Sequence, residues 1–192
     1  MARVRTRSTG TESLEDIYRR PGFMIRRAHQ IAVAIFLEEA RETRVTPTQY
    51  GVLVILGRRP GIDQNTLARL LGLDRSTTGL VVRKLAERGL LARTTGTGDL
   101  RRRELELTRA GVALVSRVAK DARRAQQRLL TPLPASERAR FLDLLARLTE
   151  AFNRTTRVPV DYAAGLGLGP QRRRGFASEF GRKRSRDLLK LD

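Results

Sequence analysis

Apolar positions recur three and four residues apart along most of this chain, and the places where that rhythm stops mark its elements. From Leu14 they run through Ile17 and Tyr18. Past Pro21-Gly22 they continue through Ile25, His29, Ala32, Val33, Phe36, Leu37 and Ala40. Proline favours the first helical turn, so a short helical turn should feed a long helix from Pro21 to near Thr43. In "TPTQYGVLVILG", Thr46 precedes Pro47 and Gln49 follows three residues on, which is a capping box with Gly57 closing the helix. "DQNTLARLLG" starts on an Asp63 cap and stops at Gly72. "DRSTTGLVVRKLAERG" starts again on Asp74 and stops at Gly89. Two capped helices joined by a tight glycine-containing turn predict a helix-turn-helix.

After Gly89 the period changes from helical to two. "LLARTT", a "GTGD" turn and "RRRELEL" read as a strand pair. Thr108 then caps another long helix with Val112, Val115, Val118, Ala122, Ala125 and Leu129 on one face. "TPLP" interrupts it, and a last helix is expected from about Ser136 to Phe152, with Phe141, Leu144, Leu145, Leu148 and Phe152 on one side. Beyond Arg157 the composition turns Gly- and Arg-rich and the periodicity fades. The fold class is therefore mainly α with a small β-hairpin wing, a winged helix-turn-helix joined to a helical domain, expected to be a dimerisation domain because a monomer would leave its apolar terminal helices partly exposed. The expected division is a mobile basic N-terminus over 1–13, a helical dimerisation region over 14–45 and 108–156, a winged helix-turn-helix over 46–107, and a flexible basic tail over 157–192, with a helical turn near its end.

Charge gives this architecture a partner. Of 192 residues, 39 are Lys or Arg and 20 Asp or Glu, a formal net charge of +19. A balance this basic points to a polyanion, nucleic acid ahead of a membrane surface. The absence of cysteine excludes disulfides, thiol nucleophiles and thiolate metal sites, and the single histidine excludes the usual two-His zinc sites. No metal site or cofactor is expected. No apolar run approaches the ~18 residues of a membrane span and the N-terminus lacks a signal-peptide core, which predicts a cytoplasmic protein.

A hairpin directly after a helix-turn-helix is a wing. Its tip lies along the backbone or in the minor groove, while the second helix enters the major groove of double-stranded DNA. Arg101, Arg102 and Arg103 stand on the wing, where the potential of a narrow minor groove attracts guanidinium groups. On the recognition helix, Arg75, Ser76, Thr77 and Thr78 lie nearest the groove. Leu80 follows near the contact face, and Arg83 and Lys84 are placed for phosphates or for plain solvent. An Asp two residues before an Arg on a tight hairpin, as Asp99 precedes Arg101, can hold the guanidinium in one direction.

Over roughly residues 20–153 the chain resembles the MarR-type (multiple antibiotic resistance) winged-helix transcriptional regulators. The wing pattern Asp-x-Arg-x-x-x-Leu-x-Leu-Thr-x-x-Gly reads Asp99, Arg101, Leu105, Leu107, Thr108 and Gly111 without a gap. "LDRSTTGLVVRKLAERGLL" matches the recognition helix and its exit. Where the family often carries two arginines after the Asp, Leu100 takes the first place. The resemblance implies a homodimer with intertwined terminal helices on a pseudo-palindromic operator, Arg101 as the minor-groove arginine and Asp99 as its orienting carboxylate.

It also implies a small phenolic or aromatic carboxylate effector, and the "PGFMIRRAHQIAVAIF" stretch is similar to members that control aromatic or nicotinate-type acid catabolism. His29, on a position the periodicity turns inward, is then either a hydrogen-bonded core or interface residue or a ligand for such an acid. Phe23, Arg26, Arg27, Gln49 and Tyr50 are its expected pocket neighbours, since a carboxylate needs an Arg or His donor and an aromatic wall. The expected function is a ligand-released repressor. A nonspecific architectural DNA-binding protein is the alternative, suggested by the net charge and the basic tail. An enzyme has no constellation of residues to build on here.

Overall fold

The computed structural model describes residues 13–95, 103–162 and 164. In chain order the elements are α1 (Leu14–Tyr18), α2 (Pro21–Glu39), α3 (Pro47–Arg58), β1 (Ile62–Asp63), α4 (Gln64–Leu71), α5 (Arg75–Glu87), β2 (Leu91–Thr95), β3 (Arg103–Leu107), α6 (Arg109–Leu130) and α7 (Ala135–Ala151), followed by a 3-10 turn at Asn153–Thr155.

The helix starts follow the caps. Thr46 Oγ1 accepts from the Gln49 N–H at 3.2 Å and Gln49 Oε1 from the Thr46 N–H at 3.1 Å, closing the capping box on α3. Asp63 Oδ1 accepts from the N–H groups of Asn65 and Thr66, both at 2.9 Å. Asp74 does the same for Thr77 at 2.8 Å. Each cap satisfies donors that a helix leaves unpaired in its first turn. Gly72, at φ 64°, takes the left-handed conformation that lets α4 stop and α5 begin three residues later.

The core lies under the helix-turn-helix. Leu53 and Leu56 of α3, Leu67 of α4, Leu85 of α5, Leu105 of β3 and Val118 of α6 are all essentially inaccessible. Burial of each contributes about 1.5–3 kcal/mol, and α5 is fixed against α3, α4 and the hairpin. The sheet runs in the order β1-β3-β2, antiparallel, with Leu91 opposite Leu107 and Ile62 opposite Leu105. The two-residue β1 is too short to show a period in sequence.

Glu39 binds α2 to α6. Arg124 Nε donates to its carboxylate at 3.0 Å, and Arg128 reaches it at 3.3 Å and Glu38 at 2.7 Å. The Arg124 hydrogen bond is the main reason the Glu39 carboxyl titrates below its ordinary range.

Several expectations are corrected. The second helix ends at Glu39 instead of near Thr43, because the chain turns through Arg44 at φ 51° to reach the Thr46 cap. Gly57 lies inside α3 and does not close it; a Cβ there would touch the Leu107 side chain at 3.4 Å. Of the tail expected over 157–192, Val158, Val160, Asp161 and Tyr162 are half-buried, and residues 165–192 lie outside the described residues. The N-terminus expected to be mobile over 1–13, apart from Ser13, and the helical turn expected near the end of the tail lie outside the described residues.

Gly111, the last residue of the wing pattern, is buried where α6 passes the start of β2. A Cβ on it would collide with the Leu90 carbonyl oxygen, a backbone atom that cannot swing aside. Gly111→Ala should therefore destabilise the fold by about 3 kcal/mol, read as a lower urea midpoint. An unchanged midpoint would show that α6 can lift off β2 without cost.

Candidate DNA-binding surface and effector site

Helix α5 is held at both ends, and this sets which of its side chains face outward. At its N-terminus Asp74 accepts from the Thr77 N–H, and the Thr77 hydroxyl donates to the same carboxylate at 2.7 Å. The backbone bond is the larger cause of an Asp74 pKa below the ordinary value. At its C-terminus Arg88 donates to two successive carbonyls of the turn after α2, Thr43 at 3.0 Å and Arg44 at 3.2 Å. The recognition helix is thereby pinned to the end of α2.

Between these clamps, Val82 and Leu85 point into the core while Arg75, Ser76, Leu80, Arg83 and Lys84 are exposed. Thr78 corrects the sequence reading. It is fully buried, its hydroxyl donating to the Asp74 carbonyl at 2.8 Å, so its side chain cannot meet a base. Four residues into the helix it shares a face with Val82, which the expectation that the N-terminal residues all line the groove overlooked.

The exposed residues gather with others into two open clefts. One is lined by Gln64, Arg75, Ser76, Gly79, Leu80, Arg83 and Arg93. The other is lined by Asp63, Gln64, Asn65, Thr66, Arg69, Arg75 and Arg103. Arg75 belongs to both. Sequence reading missed Gln64, Arg69 and Arg93. Arg93 had a signal, because an arginine stands where the alternation set by Leu91 calls for an apolar residue. Arg69 had none beyond its place on α4. Of the expected wing residues, Arg103 is exposed on β3, and Asp99, Arg101 and Arg102 lie outside the described residues.

The expected effector residues do not form one pocket within the chain. Phe23 stacks with Tyr18, ring centroids 5.2 Å apart, and Arg26 lies 4.9 Å over its ring. Tyr50 instead meets Phe36 at 5.8 Å. Phe23 and Phe36 are separated along α2 by about 20 Å at ~1.5 Å per residue, so the two aromatic groups are distinct. The Gln49 side chain is engaged in the α3 cap. Arg27 and His29 are exposed. For His29 the inward expectation fails because α2 meets its core through Phe36 and Ala40, while its N-terminal half carries exposed Met24, Ile25 and Ile31. Burial raises the Tyr50 pKa against the opposing pull of the Arg123 charge, which puts a guanidinium in the field of this phenol.

Among the described residues no three His, Asp or Glu side chains form a metal set, and no helix is long and apolar enough to cross a membrane. The arrangement of a capped recognition helix, a flanking hairpin and arginine-lined clefts defines a winged helix-turn-helix DNA-binding protein. The comparisons give the same class a family. The MarR family model matches residues 45–102. A protein described as a transcriptional regulator for the hcr operon of Thauera aromatica is 36% identical over 66% of this chain and 77% of its own. The repressor CouR, solved on a 23-mer DNA duplex, is 30% identical over 72% of this chain and 99% of its own, with a TM-score of 0.66. BpsR of Bordetella bronchiseptica, from a study of its regulation by 6-hydroxynicotinic acid, is 27% identical over 73% and 98%, also with a TM-score of 0.66. The chain belongs to the MarR family of DNA-binding transcriptional regulators, which are not enzymes.

The Asp74 cap has a pH signature. A lowered folded pKa means its contribution is complete above the ordinary carboxylate value of ~3.9 and is lost as pH falls through the lower folded value. The Thr77 amide resonance should stay constant from neutral pH to about 4 and move on further acidification. A Thr77 amide indifferent to acid would contradict the cap.

Proposed function

We propose that this regulator is a homodimeric repressor which reads a pseudo-palindromic operator and is released from it by a small aromatic carboxylate. The observation that carries the DNA contact is the convergence of Arg75, Arg83 and Arg93 on one open cleft beside Ser76 and Leu80. Arg75, at the first turn of α5, is placed for a guanine O6/N7 pair, and Ser76 and Thr77 for adjacent base edges. Arg83 and Lys84 take phosphates. Arg103 extends the same charge along the wing, with Arg101 entering the minor groove, Asp99 orienting it and Arg102 beside it.

Unpaired apolar surface supports the dimer. Phe141, Leu144, Leu145 and Leu148 of α7 are exposed together, as are Leu14, Met24 and Ile25 of α1 and α2. Contiguous apolar faces of this kind call for a partner. A second copy would cover them and set the two α5 helices about one DNA turn (~34 Å) apart.

The effector reading rests on the half-buried Phe36–Tyr50 pair, an aromatic wall whose phenol feels the Arg123 charge. The BpsR relative supplies the acid class. The Arg88 link between α5 and the turn after α2 gives a ligand beside α2 a route to the recognition helix. Displacement follows only if the acid prefers one arrangement over the other.

Fluorescence anisotropy on DNA from upstream of the protein's own gene, against scrambled DNA, tests both parts. Arg75→Ala and Arg101→Ala should each weaken specific binding by about 10–100-fold. Thr78→Val, at a buried position, should leave it within about 3-fold, well inside the effect of one lost base contact. Addition of 6-hydroxynicotinate or a related aromatic acid should lower affinity, and Tyr50→Ala should blunt that response while sparing ligand-free binding. Equal affinity for both DNAs, insensitive to every acid, would instead make this an architectural protein.

A further inference from the structure

Helix interiors disfavour glycine, because its backbone loses the most freedom on ordering and it brings no side chain to pack. Gly79 nevertheless stands inside α5, one turn after Arg75 and next to Leu80, on the face that lines the open cleft. Its neighbour on α4 accounts for it. A Cβ on Gly79 would lie 3.2 Å from Gln64 Nε2, a tighter approach than van der Waals contact ordinarily allows. The Gln64 amide therefore lies across the recognition helix, in the space that a larger residue would fill.

The root of this side chain is fixed. Asp63, just before it, pairs with Glu104 across the sheet, and its Oδ1 caps α4 through the N–H groups of Asn65 and Thr66. Thr66 Oγ1 donates back to Asp63 Oδ2 at 3.0 Å and accepts from Arg69 Nη2 at 3.1 Å. The Gln64 side chain is half-buried, and among the described residues its amide has no hydrogen-bond partner. The Gln49 amide, by contrast, closes the α3 cap. An amide offers donors and acceptors whose loss from water is costly unless they are paired again.

The surroundings indicate what would pair with it. Gln64 lines both clefts, one with Arg75, Arg83 and Arg93, the other with Arg69, Arg75 and Arg103. Guanidinium groups only donate, so they match phosphate oxygens and the two acceptors of guanine. A neutral amide carries a donor and an acceptor side by side. That pattern matches the N6/N7 edge which adenine presents in the major groove.

We propose that Gln64 is a specificity-determining residue: seated in the notch left by Gly79, its amide takes the N6/N7 edge of an adenine in the half-site that Arg75 reads. Gly79 keeps the notch open at a cost to helix stability. The inference rests on the placement of α5 in the major groove proposed above.

Selection of bound duplexes from a randomised pool gives the base preference of the full chain at every position, and titrations on single-base variants of the selected duplex put numbers on it. Gln64→Ala should lower discrimination about 5–100-fold at one A·T pair per half-site and leave the other positions as they were. Gln64→Glu, which can accept from cytosine N4, should move the preference at that pair toward C·G. Gly79→Ala should raise the urea midpoint, since alanine is the better helix former and only the flexible end of a side chain must move, yet weaken the same A·T preference. A glycine with a merely structural role cannot give that combination. The double variant should discriminate no worse than Gln64→Ala alone, because both changes remove one contact.

A Gln64→Ala variant that loses affinity equally for every base would make the amide a phosphate contact and overturn the proposal. Unchanged preference, or relaxation at a G·C pair instead, would overturn it as well. Arg75→Ala, run alongside, separates this inference from the reading it rests on. A position relaxed by Arg75→Ala with none relaxed by Gln64→Ala removes the role of Gln64 alone. No position relaxed by either variant removes the placement of α5 itself.

Discussion

One backbone crossing governs this fold. At Gly89-Leu90 the recognition helix has just ended and the wing begins. At Thr108 the wing has just ended and the long helix begins. Thr108 joins the two places: its N–H donates to the Leu90 carbonyl at 3.2 Å and its hydroxyl to the Gly89 carbonyl at 2.7 Å. Its Oγ1 also accepts from the Gly111 N–H at 3.1 Å, capping α6. Only a residue without a Cβ lets α6 pass so close to Leu90. The direction of the wing, the seat of α5 and the departure of α6 are all set within this knot. The Leu-Thr-x-x-Gly ending of the wing pattern is thus a packing constraint that happens to sit beside a functional surface.

From that knot the molecule separates its charges by purpose. Glu38, Glu39 and Asp121 spend their charge on Arg124 and Arg128, holding α2 to α6. The arginines of α4, α5 and the hairpin converge instead on open clefts. Arg88 belongs to neither group. Its guanidinium is turned inward on two carbonyls of the turn after α2, so α5 and the end of α2 share a mechanical connection.

Much of this was legible in the chain because it depends on local rules. Thr46, Asp63, Asp74 and Thr108 cap the helices they were expected to cap, and the period change after Gly89 locates the hairpin. What depends on tertiary context was not legible. Thr78 looks like its neighbours in sequence, yet one position along the helix turns it into the core. His29 follows the apolar rhythm of α2, but among the described residues its side chain is left exposed. The aromatic residues of the expected pocket separate because Phe23 and Phe36 lie at different levels of one long helix. The return of the chain onto α4 after Asn153 was hidden for another reason: Asn153, Val160 and Asp161 act through single, non-periodic contacts.

The account centres on two recognition helices held as a pair whose spacing an acid changes. The chain has no cysteine, so Glu87→Cys on the exposed end of α5 gives one spin label per subunit. Pulsed dipolar spectroscopy would then report the distance between the two helices on the upstream duplex and after release by 6-hydroxynicotinate or a related acid. The account predicts one narrow distance distribution on DNA and a displaced one with the releasing acid. Absence of any dipolar coupling, or release of the DNA with the distance unchanged, would contradict it.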